Sequence, residues 1–129
     1  MTQRPTPKPT EVELEILRVL WGRGPSTVRQ VLNAPGQARK KGYTTVLKML
    51  QIMTEKGLVL RDESERTHIY RPRFSEEHTQ RRLVSDLLNR AFGGSARKLV
   101  LQALSSKKAS AEELAEIRKL IDELEGRSS

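Results

Sequence analysis

The chain has no cysteine. That excludes a disulfide framework, a thiolate metal site and a cysteine nucleophile, and it is compatible with a reducing compartment. No apolar run approaches the roughly 18 residues that a membrane span needs, so no segment is expected to insert in a bilayer. The opening stretch, MTQRPTPKPT, lacks the apolar centre of a secretory signal. Residues 1–9 are instead expected to form a disordered lead with polyproline character. Clusters of metal-ligating or acid–base residues are missing too. His68 has no second histidine, cysteine or carboxylate at ligand spacing, so neither a metal nor another cofactor is expected. Asp62 and Glu63 are adjacent and would point to opposite faces of a strand, which argues against a paired acid/base site. A small nuclease would need such a cluster. The chain is therefore read as a non-enzyme with no catalytic residue.

What is present is positive charge, unevenly placed. The 129 residues suit one ordinary domain or two small ones, with a net charge of +8. Residues 1–74 hold 14 Lys and Arg against 7 Asp and Glu, whereas residues 75–129 hold 10 against 9. A basic first part favours a polyanionic partner.

The first part is organised around Tyr43–Gly57, YTTVLKMLQIMTEKG. Val46, Met49, Leu50 and Met53 recur at helical spacing and form one apolar stripe. Thr44, Thr45, Lys48, Gln51 and Glu55 fall on the other face, and Gly57 supplies the left-handed stop. Two hydroxyls and a lysine near the helix start, preceded by Arg39-Lys40-Lys41, suit phosphate and major-groove base edges. Upstream, Thr10 and Glu13 make a capping box for a helix with Leu14, Leu17 and Trp21 on one face, ended by Gly22 and Gly24-Pro25. Ser26 is expected to cap a short second helix with Val28, Val31 and Leu32 inward and Arg29 and Gln30 outward. A loop from Asn33 through Gly42 then leads to the third helix, Tyr43–Gly57. That order is helix-turn-helix, with the last helix in the reading position. Downstream the period changes to two. Leu58–Arg61 and Thr67–Arg71 read as strands joined by the polar turn Asp62–Arg66, and Pro72 ends the second. This hairpin is the wing of a winged helix. Arg66 near its tip can reach phosphate, while Asp62, Glu63 and Glu65 oppose it.

From Ser75 onward the pattern is helical. Ser75 caps a stripe of Leu83, Val84, Leu87, Leu88, Ala91 and Phe92 that Gly93-Gly94 ends. Ser95 caps a helix with Leu99, Val100, Ala103 and Leu104. Ser110 and Glu113 box a third, in which Leu114, Ile117, Ile121 and Leu124 run, with Leu120 beside them, until Gly126. About 55 residues give little core of their own, and three apolar stripes want a partner. A two-fold dimer is the usual solution. The fold class is thus mostly α with a small β-hairpin. Residues 10–74 form a winged helix-turn-helix DNA-binding domain, and residues 75–129 a three-helix dimerisation domain.

These segments together resemble the BlaI/MecI/CopY family of penicillinase-type bacterial repressors. The resemblance is carried by TEVELEILRVLW, STVRQVL, YTTVLKML with EKGLVLR, IYRP, and LVLQAL with SAEELAEIRKLI, and it covers nearly all of Thr10–Leu124. It implies a cytoplasmic homodimer that blocks a promoter at a palindromic double-stranded DNA operator with TACA/TGTA-like half-sites. By position, Tyr43, Thr44, Thr45 and Lys48 would face bases, and Arg39, Lys40, Lys41, Arg29 and Arg66 would contact phosphate. The dimer would rest on Leu83, Val84, Leu87, Leu88, Phe92, Leu99, Leu114, Ile117, Ile121 and Leu124. In the penicillinase and methicillin branch a membrane sensor triggers proteolysis at an Asn-Phe bond, and the matching pair here is Gln102-Ala103. The copper branch carries a cysteine cluster, which this chain lacks, so copper sensing by that chemistry is excluded. The competing reading is a winged helix used as a protein-interaction module without specific DNA binding. Only Leu47 and Ile52 on the reading helix favour it.

Overall fold

Eleven apolar side chains gather into one core, drawn from every part of the first 72 residues that shows an apolar period. The computed structural model describes residues 7–36 and 38–128, so most of the expected disordered lead (1–6) lies outside the described residues. Two compact units divide at Ser85 and Asp86.

In the first unit, α1 (Glu11–Arg23) starts at the Thr10 and Glu13 capping box and delivers Ile16, Leu17 and Leu20 to the core. Glu13 does more than cap. Its carboxylate accepts from the Thr10 backbone N–H at 2.9 Å and meets Lys56 Nζ at 2.6 Å. Burial acts to raise the Glu13 carboxyl, but the Lys56 ammonium and the Thr10 donors outweigh it and hold the group below its ordinary 4.5. A depressed folded-state pKa contributes stability above the unfolded value, and that stability is lost as pH falls through the folded one. Urea unfolding should therefore show Glu13→Gln less stable than wild type by about 1–2 kcal/mol at pH 7. Below pH 4.5 the difference should shrink. A constant difference across that window would remove the ion pair from the account.

The second helix, α2 (Val28–Asn33), is capped by Thr27 and not by Ser26 as expected. Thr27 Oγ1 accepts from Gln30 N at 3.2 Å, and Gln30 Oε1 accepts from Thr27 N at 2.9 Å. Ser26 is fully buried and exchanges backbone hydrogen bonds of 2.9 and 2.8 Å with Tyr70, acting as a one-residue extension of the hairpin. The expected loop before Gly42 contains a short helix, α3 (Ala38–Lys41), so the helix expected to read DNA is α4 (Tyr43–Lys56), the fourth rather than the third. Val46, Leu50 and Met53 of α4 are wholly buried, while Thr44, Thr45, Lys48, Gln51 and Glu55 are exposed. Gly57, at φ 80°, ends α4 with hydrogen bonds from Gly57 N to Thr54 O and from Leu58 N to Met53 O. Both need a left-handed residue at this position, where a Cβ would be strained.

The hairpin is β1 (Val59–Asp62) and β2 (Ile69–Pro72), antiparallel, with Val59 opposite Pro72 and Asp62 opposite Ile69. Both strands differ at both ends from the expected Leu58–Arg61 and Thr67–Arg71. Val59 and Tyr70 are buried against the helices, and Thr67 and His68 fall in the wing loop, where no ladder bond claims them. Next, α5 (Glu76–Ala91) starts at Ser75, whose Oγ accepts from His78 N at 3.0 Å.

In the second unit, α6 (Ala96–Ser106) is capped by Ser95 and α7 (Ala111–Ser128) by Ser110, whose Oγ accepts from Glu113 N at 3.0 Å. α7 continues through Gly126 instead of ending there, because Gly126 stays in a helical conformation and is not at positive φ. No residue described in α6 or α7 is buried. Val100, Leu101, Leu104, Leu120, Ile121 and Leu124 are all exposed, with Leu120 at 53%. Among the described residues no helix is long and apolar enough to cross a membrane.

Candidate nucleic-acid interface

The apolar stripe that seats α4 also decides what it shows. With Val46, Leu50 and Met53 in the core, the 3.6-residue repeat turns Thr44, Lys48, Gln51 and Glu55 outward as one row. Thr45 is exposed beside that row. Gly42 precedes the helix at φ 84° and offers no side-chain cap to the first amides of α4. Lys40 and Lys41 of α3 are exposed immediately before them, and the Arg39 side chain lies outside the described residues.

Three of the predicted residues from separate elements meet. The Arg29 guanidinium of α2 lies 4.9 Å from the centroid of the Tyr43 ring, a cation–π pair that orders both side chains. Arg29, Tyr43 and Arg66 line one cleft of about 250 Å³ with Thr27, Leu47, Thr67 and His68. Thr67 and His68 were not among the expected contacts. The strand expected over Thr67–Arg71 includes them, whereas the observed register begins at Ile69 and leaves both outside the ladder. Thr44, Thr45 and Lys48 are exposed on α4 and are not part of that cleft lining. On the wing, Arg61 Nε pairs with Glu63 at 2.8 Å. Asp62 accepts from Ser64 N at 2.9 Å, and the hydrogen bonds from Ser64 hold its carboxyl below the ordinary range. Two of the acids that oppose Arg66 are thus engaged within the turn.

Of the residues expected to form a dimer, Leu83, Leu88, Phe92, Leu99, Leu114 and Ile117 are half-buried. Val84, Leu87, Ile121 and Leu124 are each exposed by 46–49%. Gln102 and Ala103 are exposed in the body of α6.

Comparison with known proteins agrees over the same extent. A family model described as penicillinase repressor matches residues 9–123. Over 116 residues the chain is 33% identical to the transcriptional regulator BlaI of Mycobacterium tuberculosis, covering 89% of this chain and 83% of that protein. It is 24% identical over 121 residues to the penicillinase repressor of Bacillus licheniformis, covering 94% of each. It is 18% identical over 112 residues to the penicillinase repressor of Staphylococcus aureus, covering 87% of this chain and 89% of that one. A winged helix whose α4 presents two hydroxyls and a lysine, and a match along almost the whole chain, lead to one conclusion: this protein belongs to the penicillinase repressor (BlaI/MecI/CopY) family of transcriptional repressors.

Proposed function

We propose that the chain acts as a homodimer that occupies a palindromic, TACA/TGTA-like operator and blocks transcription until a signal releases it. The carrying observation is the outward face of α4. Its N-terminal half offers Thr44, Thr45 and Lys48 beside uncapped amides, with Arg29, Tyr43 and Arg66 gathered at one flank. In this reading α4 enters the major groove. The threonine methyls pack on thymine methyls, Lys48 reaches guanine acceptors, and Arg29, Arg39, Lys40, Lys41 and Arg66 hold phosphates. Residues 10–74 supply the reader, and residues 75–129 the dimer, through apolar faces of α5, α6 and α7 that leave large aliphatic side chains in water.

Release by proteolysis in the C-terminal region, under a membrane sensor protease, would require local opening at Gln102-Ala103. A protease takes an extended strand, and this bond lies inside a helix.

Lys48→Ala should cost about 1–3 kcal/mol on operator and relax base preference, with little effect on random DNA. The founding test measures binding to a TACA/TGTA palindrome and to scrambled DNA at two salt concentrations, with the mass of the complex. Tight, salt-sensitive binding of one dimer per palindrome supports the proposal. Equal binding to both DNAs refutes sequence reading, and no binding at either salt moves the winged helix to the protein-interaction reading.

A further inference from the structure

The junction between β2 and α5 is built as a joint and not as a linker. Three residues, Arg73, Phe74 and Ser75, separate these elements, and each makes a hydrogen bond. Arg73 N donates to Leu58 O at 3.0 Å, which fastens the strand exit to the start of the hairpin. Phe74 O accepts from the Trp21 indole N–H of α1 at 3.0 Å. The Phe74 ring stacks on His78, one turn into α5, at 4.7 Å and 17° between planes. The Arg73 guanidinium also lies 5.4 Å from the centroid of that ring. Next to His78, Thr79 is 7% exposed, the only buried residue of α5. Trp21 itself packs against the core. All of these residues, and Leu83 and Val84 with them, belong to the first compact unit.

None of these hydrogen bonds and ring contacts involves a residue of α4. Their common effect is to give α5 a single direction of departure from the winged helix. Resting on the dimeric repressor reading above, we propose that Trp21, Phe74 and His78 are positioning residues that set the half-site spacing the dimer accepts. Leu83 and Val84 are the first residues of the proposed dimer face, and they follow Thr79 on the same helix. If a flexible chain joined reader to dimer, each reader could settle on its half-site independently, and spacing would matter little. With the segment that leads into α5 held on α1 through Phe74 and on Leu58 through Arg73, moving one half-site by a base pair turns it about a tenth of a helical turn away from its reader.

The test uses the full-length protein and a series of palindromes whose half-sites are moved apart or together by one, two and five base pairs. A single half-site duplex serves as the control for the reader alone. Wild type should favour one spacing and lose at least about ten-fold in affinity at a two-base-pair offset. Trp21→Phe keeps an aromatic ring of smaller volume and removes the donor, and His78→Ala removes the stack at an exposed position. Each should flatten the spacing profile while binding the half-site as wild type does, and the double variant should flatten it most. A merely structural loss would weaken half-site and palindrome binding together. Variants that retain the wild-type spacing ratio, or a wild type with equal affinity at all spacings, would overturn the assignment. If no palindrome is preferred to scrambled DNA at any spacing, the repressor reading fails and the joint's role falls with it. A specific but spacing-indifferent wild type removes the joint alone.

Discussion

Operator affinity is expected to fall by about 10³–10⁵ between 50 and 200 mM salt, the range for a protein that neutralises about 6–10 phosphates. The estimate follows from Arg29, Arg39, Lys40, Lys41 and Arg66 acting in each of two protomers. These cations sit in the half of the chain whose net charge is strongly positive, and Lys40 and Lys41 come just before the first turn of α4. Counterion release, and not any special contact, would supply most of this affinity, so the loss should be nearly the same for scrambled DNA. Arg66→Ala should lower the steepness of the salt dependence by about one per protomer and weaken all sequences alike. The acids around Arg66 temper this expectation. Glu63 is spent on Arg61 and Asp62 on Ser64, which leaves Glu65 as the nearest acid in sequence. The measurement is a titration at four salt concentrations for wild type and Arg66→Ala. Affinity that ignores salt would overturn the phosphate assignments together.

Leu50→Ala is expected to destabilise the first unit by about 2–5 kcal/mol, enough to lower its melting temperature by roughly 8 °C or more. Leu50 is wholly buried midway along α4, between Val46 and Met53, which are wholly buried too. Removing its branched end loses the transfer energy of those atoms and leaves a cavity that packed neighbours on both sides cannot close. Domains of this size keep only about 5–15 kcal/mol in total, so operator binding should weaken with the folded fraction. Lys48→Ala, on the opposite face of the same helix, should change stability by no more than about 0.5 kcal/mol. Thermal and urea unfolding of the two variants side by side separates the face that holds α4 from the face that reads. A stability loss at Lys48 equal to that at Leu50 would show that the two faces have been misassigned.

The helices legible in the sequence are those governed by local physics. Thr10 with Glu13, Ser95, and Ser110 with Glu113 cap as expected, because capping needs only groups three residues apart. The stripe of α4 and its polar face were also legible, since periodicity alone assigns them. The second helix shows where that logic slips. Ser26 and Thr27 are adjacent candidates, and only Thr27 has glutamine at the third following position. The capping-box signal was present there, and the hydroxyl one residue earlier obscured it. α3, four residues long, is too short to carry any period.

By itself, the sequence determined the order of every element but α3, the division between a basic and a neutral part, and the residues that α4 turns outward. Each depends on spacing within one segment. Only the tertiary structure decided that Ser26 pairs with Tyr70, that Glu13 meets Lys56, that Trp21 holds Phe74, and that Arg29, Tyr43 and Arg66 share a cleft. Those contacts join residues many positions apart in sequence. Nothing in the local pattern names such partners, because their meeting depends on how the shared core sets one element against another.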